Sequence, residues 1–170
     1  VNLVATGKER EELIARAAKL PSIKITMRNL CDLELLATGG FSPLTSFMGK
    51  ADYDRVLREM RLADGTVWPL PITLTVGEDI VLRNSNNDLI AIMTLDEVYH
   101  WDLASEAALA YGSTDSKHPM VSEMARWGKV CISGPLKVIN LPKYYDFTDL
   151  RLTPVEVRQL LEEMGNDNVV

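Results

Sequence analysis

From Lys8 to Leu20 the apolar residues Leu13, Ile14, Ala17, Ala18 and Leu20 fall at helical spacing among charged ones, and Pro21 follows. This pattern predicts an amphipathic helix that stops before the proline. Residues 22–27, SIKITM, alternate as a short strand does. A second helix is predicted over 28–40, with Leu30, Leu33, Leu35 and Leu36 on its apolar side and Gly39-Gly40 to release the chain. In SPLTSFM, Ser42 suits a cap and Pro43 a first turn, so a short helix is expected that points Leu44, Phe47 and Met48 inward. Residues 52–62 place Tyr53, Val56, Leu57 and Met60 on one helical face.

The period then changes. Between Arg61 and Trp101 the β-branched runs are separated by DG, GED and NSNND, the turn chemistry of antiparallel strands. Pro69 and Pro71 belong at an edge or a strand start, and residues 72–76 alternate two faces. One apolar face per strand has to be covered, which predicts a small curled sheet or barrel. Helices return after Asp102, a capping residue, and at Pro119, which fits a first turn; KVCISG and PLKVINL follow as strands. The closing unit is a capping box, Thr153-Pro154-Val155-Glu156, ahead of Val157, Leu160, Leu161, Met164 and a terminating Gly165. Its apolar side serves either this domain's core or a neighbouring domain. The chain begins at Val1 and ends GNDNVV, a turn signal with the first residues of a strand, so the expectation is a piece of something longer.

The 170 residues carry a net charge of -6, which disfavours a non-specific grip on nucleic acid or an anionic membrane. No apolar run approaches the roughly 18 residues of a membrane span. Cys31 and Cys131 have no zinc-like spacing and are expected as buried or half-buried free thiols in a reducing, cytoplasmic setting.

Candidate chemistry is sparse. The glycine pair of GGFSPLTSFM lacks the nearby Lys-Ser/Thr of a phosphate loop, since the first lysine is Lys50, and a helix-to-helix corner is the better local reading. His100 and His118 sit in no metal-binding spacing. STDSKHP, residues 113–119, gathers a carboxylate, hydroxyls, an ammonium and an imidazole, residue types that orient substrates and also make turns and caps. Arg28, Arg55, Arg58 and Arg61 offer positive charge to an anion, but acidic residues are interspersed. No nucleophile elbow occurs, and neither cysteine has a local histidine partner. Hence no catalytic, cofactor-binding or metal-binding residue is assigned.

Three long segments in order, Cys31–Val76, Tyr111–Val121 and Ile132–Gly165, resemble the amino-terminal region of ATP sulfurylase, or sulfate adenylyltransferase. The likeness runs from about Lys24 onward; Ser46 departs from it, standing where that family usually has glycine. The resemblance implies an α+β fold, a PUA-like β-barrel with flanking helices, over residues 1–165. Residues 166–170 would then begin the linker or first strand of a catalytic domain. Complete family members join sulfate to the α-phosphate of ATP and release pyrophosphate, with magnesium accompanying ATP. Their Arg-Asn-Pro and His-x-x-His motifs do not occur here. The implied role is an accessory domain, inactive alone, whose partner is the following catalytic domain of the same polypeptide, with room for a homo-oligomer and no nucleic-acid or membrane partner. The alternatives are an oligomerisation or bracing module and, behind it, an RNA-binding PUA-like domain.

Overall fold

The computed structural model describes residues 2–76 and 81–165. The expected GED turn and the residues 166–170 lie outside that range. Among the described residues, six α-helices and seven strands make a mixed fold: α1 Gly7–Ala17, β1 Ser22–Lys24, α2 Met27–Ala37, α3 Lys50–Glu59, β2 Leu74–Val76, β3 Val81–Arg83, β4 Leu89–Met93, β5 Glu97–His100, α4 Leu103–Tyr111, α5 Pro119–Met124, β6 Val130–Ser133, β7 Leu136–Val138 and α6 Pro154–Met164.

The strands form two sheets that do not close into a barrel. The first has the order β1-β3-β4-β7, with β1 parallel to β3 and the other pairs antiparallel. Its β7 edge is covered by the N-terminal residues, where Ala5 N donates to Val138 O at 2.8 Å and Val138 N to Leu3 O at 3.0 Å. The second is antiparallel, in the order β2-β6-β5. Both β4–β5 and β6–β7 change sheets at one corner, tied by Thr94 N to Pro135 O at 2.9 Å and Asp96 N to Ser133 O at 3.1 Å. Gly134 sits there at φ +155 with the Thr94 carbonyl where a Cβ would lie, so the corner requires glycine.

The main core lies between the sheets and α2–α3, around Leu33, Leu36, Phe47, Leu74, Leu82 and Met93, each 1% exposed or less. A smaller cluster under α1 holds Ala17, Val81, Ile92 and Ile139, and another joins α4 to α5 through Ala107, Val121 and Met124. The helix caps are of the expected kind: Asp102 accepts from Ser105 N at 2.7 Å, and Pro119 opens α5. Thr153 and Glu156 form the capping box, with Gly165 left-handed at the other end of α6.

Four local expectations are corrected. SPLTSFM is a turn, not a helix: Ser42 Oγ donates back to Gly39 O at 2.8 Å instead of capping, although Leu44, Phe47 and Met48 are buried as anticipated. Met60 leaves the face of α3, because it is the left-handed C-cap at φ 53 and is 60% exposed. Residues 72–74 do not alternate, since Ile72, Thr73 and Leu74 are all buried between two layers. Cys31 is exposed on the solvent side of α2, whereas Cys131 is buried in β6.

Candidate functional site

The corner GGFSPLTSFM leads straight into the N-terminus of α3, where free N–H groups and the helix dipole favour an anion. That position already holds one. Glu97, on β5, accepts from Lys50 N at 3.0 Å, and a Cβ on Gly49 would stand 2.5 Å from the same Oε2 atom. Glycine at position 49 therefore makes room for a carboxylate from another element, which caps the helix in place of a local side chain. Ser133 Oγ donates to Phe47 O at 2.6 Å and Tyr99 OH to Met48 O at 2.8 Å, so the rest of the corner is spent on structure as well.

The densest set of titratable side chains is buried between α2, α3, α4 and the second sheet. Glu106 is 1% exposed and accepts from Tyr53 OH at 2.7 Å. Tyr53 lies against Tyr99 with ring centroids 5.6 Å apart, and Tyr99 and Thr73 adjoin the Cys131 thiol. Arg28 reaches the same region, with its guanidinium 4.3 Å from the centre of the Trp127 ring and its Nε 3.8 Å from Asp32. Burial raises the Glu106 carboxyl above its ordinary value, against the opposing effects of the Tyr53 hydrogen bond and Arg28. Burial likewise raises the Tyr53 and Tyr99 phenols and pushes the Cys131 thiol up to about 12. Burial thus biases every acid in the set toward its neutral form, as in a hydrogen-bonded polar core.

The remaining candidates stay apart. His100 ends β5 in solvent, and His118 is the N-cap of α5, its ring 5.8 Å from Tyr111. In STDSKHP the polar groups make a turn: Ser113 Oγ accepts from Asp115 N, Asp115 Oδ1 from Lys117 N, and Asp115 O from His118 N at 2.9 Å. Arg55 and Arg61 hold the 63–65 turn through Ala63 O and Gly65 O, while Arg58 is exposed in the last turn of α3. A groove of about 480 Å³ runs past Met27, Leu30, Cys31, Leu89, Leu141 and Tyr144. Its amides are largely committed, Asn84 to Asp88 and Asn140 to Leu89 O and Arg10. A second hollow of about 340 Å³ lies beside Trp101, Trp127 and Lys129. Among the described residues no group of three or more His, Cys, Asp or Glu side chains is placed to hold a metal ion. No described helix is long and apolar enough to cross a membrane.

Sequence reading overlooked Glu97 and Glu106. The partner of Glu97 lies 47 residues away, which leaves no local signal. Glu106 carries one: it falls at helical spacing with Leu103, Ala107 and Ala110 and so shares the face of α4 that turns inward.

Comparison with known proteins points the same way as the quoted motifs. Sulfate adenylyltransferase of Trichormus variabilis is 39% identical over 180 residues, an alignment that takes in 100% of this chain and 46% of that protein. The enzyme of Halothermothrix orenii is 41% identical, with 100% and 47% covered, and that of Aspergillus fumigatus 39%, with 99% and 32%. A solved structure described as the hexameric APS kinase from Thiobacillus denitrificans superposes with a TM-score of 0.71 and 32% identity, over 97% of this chain and 30% of that one. The chain spans less than half the length of these curated relatives. With residues 1–141 matching the PUA-like domain family, two sheets and six helices arranged as described, and relatives that share it end to end, the chain belongs to the PUA-like domain family.

Proposed function

We propose that this chain is the accessory domain of a sulfate adenylyltransferase, with residues 1–165 as the PUA-like domain and 166–170 as the lead-in to a catalytic domain. The observation that carries the reading is end-to-end similarity at 39–41% identity to enzymes of that name, of which the chain matches under half. In the complete enzyme a sulfate oxygen bonds to the α-phosphorus of ATP as the bond to pyrophosphate breaks. ATP and magnesium belong to the catalytic domain. Supporting that assignment, the carboxylate of Glu97 fills the N-terminus of α3, a position that would otherwise favour an anion. A cytoplasmic homo-oligomer fits this role, and the solved relative is itself described as hexameric.

The test is sulfate-dependent pyrophosphate release from ATP, measured for the purified 170-residue chain and for the complete product of its gene. Turnover by the complete product and none by the short chain is expected. Sustained turnover by the short chain, or a complete product without it, would overturn the reading.

A further inference from the structure

Residues 142–165 are attached to the domain in an unusual way. Among the described residues, none of the hydrophobic clusters contains a member after Leu141, and α6 buries no residue at all. The hydrogen bonds that hold it are Tyr144 OH to Glu34 Oε2 at 2.5 Å and Arg158 Nη2 to Gly39 O at 2.8 Å, beside the half-buried Pro154, Val155 and Leu161. Meanwhile eight of the sixteen exposed large apolar residues lie between Tyr144 and Met164.

Their display is organised. Arg151 lies 4.1 Å over the Tyr144 ring and bonds both the carbonyl and the carboxylate of Asp146, at 2.9 Å each. This clasp shapes the loop from which Tyr145 (90% exposed), Phe147 (75%) and Leu150 (79%) project. Phe147 takes φ 49 and ψ 39, a left-handed conformation costly for a bulky residue. Next in the chain, α6 presents Val157, Leu160 and Met164 at helical spacing, all exposed. An isolated helix of 11 residues is marginal in water and draws most of its stability from a buried apolar face. Here Leu161 is half-buried, while Val157, Leu160 and Met164 lack a cover among the described residues.

We propose that the loop 144–152 and the apolar face of α6 form one docking surface for the catalytic half of the same polypeptide. This rests on the reading of the chain as an accessory domain. The surface begins just past residue 141, where the PUA-like match ends, and runs to Met164 near the end of the chain, while more than half of each of these relatives lies outside the match. A domain tethered at that end meets the surface at high effective concentration, so a modest apolar contact is enough. Glu162 and Glu163, just before Met164, make no ion pair among the described residues, which suits an apolar hollow with a basic rim on the partner.

Amide hydrogen exchange in the 170-residue chain and in the complete gene product tests the proposal. Exchange through 144–164 is expected to be at least about tenfold slower in the complete product, and Phe147→Asp should return α6 to the fast rate there while leaving the short chain unchanged. Equally fast exchange in both proteins overturns the docking surface. Protection that rises with the concentration of the short chain alone assigns the face to a second copy and overturns it too. Sulfate-dependent pyrophosphate release by the same preparation separates the two readings: its absence removes the adenylyltransferase assignment, while the surface stands or falls on exchange.

Discussion

Phe47 and Phe147 both sit in bends, yet the first is 0% exposed and the second 75%. The same contrast holds for the helices beside them. α2 has one side-chain cap, Thr26, and buries five residues; α6 has a full capping box, an N1 proline and a glycine stop, and buries none. Capping chemistry therefore tells where a helix begins and ends, and tertiary packing tells whether anything lies against it. A helix so well specified locally and so little buried by the described domain is where the proposed docking surface can be tested.

The sharpest way to break this contrast is to truncate a large side chain in each region. Phe47→Ala should cost about 3–5 kcal/mol in denaturant unfolding, since its cavity is enclosed by the main core. Leu160→Ala, on the 45% exposed face of α6, should stay within about 0.5 kcal/mol in the 170-residue chain. Equal costs at the two positions would erase the distinction.

Much of this was legible in the sequence, for reasons that also explain the errors. The helices α1 to α3 follow apolar spacing, and α4 and α6 follow caps that act over three or four residues. Ser42-Pro43 misled because the hydroxyl and ring that start helices also make turns; here Ser42 bonds backwards to Gly39. Residues 72–76 suggest two alternating faces, whereas Ile72, Thr73 and Leu74 are all buried, and the Thr73 carbonyl accepts from the buried Asn29 amide at 3.0 Å. A threonine in a strand does not declare which side holds solvent. The division into two sheets depends on the close approach at Gly134, between chain segments far apart in sequence, and local period carries no trace of it. Exposure of α6 was the open alternative in the pattern, because an apolar stripe says that a helix has a partner and not which one.

A second comparison sets the polar interior against the polar strap. Burial raises the Glu106 carboxyl, so the folded chain holds that proton more tightly than the unfolded one, whose ordinary value is near 4.5. With more protons bound in the folded state, stability falls as pH rises from about that value through the raised one. The slope from this group reaches at most about 1.4 kcal/mol per pH unit, the value for one proton. Glu106→Gln keeps an acceptor for Tyr53 and removes the titration. Its stability relative to wild type should therefore improve with rising pH across this window, as measured by urea unfolding at several pH values. Asp32, raised mainly by burial and opposed by Arg28, contributes a slope of the same sign in both proteins. A constant gap between Glu106→Gln and wild type would mean that the carboxyl is not shifted by its surroundings.

The smallest global effect is expected in the strap, where a local loss should leave the body untouched. Thr153 Oγ1 accepts from Glu156 N at 3.3 Å, and Glu156 Oε2 accepts from Thr153 N at 2.6 Å, so two N–H groups at the start of α6 are satisfied reciprocally. Thr153→Ala removes the first of these bonds and should cost α6 about 1 kcal/mol. Because α6 has no fully buried residue and contributes none to the core clusters, little of that cost should reach the unfolding of the rest of the domain. The expected outcome is faster amide exchange confined to residues 154–164, with the denaturant midpoint of the domain changed by less than about 0.5 kcal/mol in equivalent stability. If the whole domain lost the full amount, α6 would have to be coupled to the core through more than the Arg158–Gly39 and Tyr144–Glu34 hydrogen bonds, and the two regions would form one cooperative unit instead of a body and an attached strap.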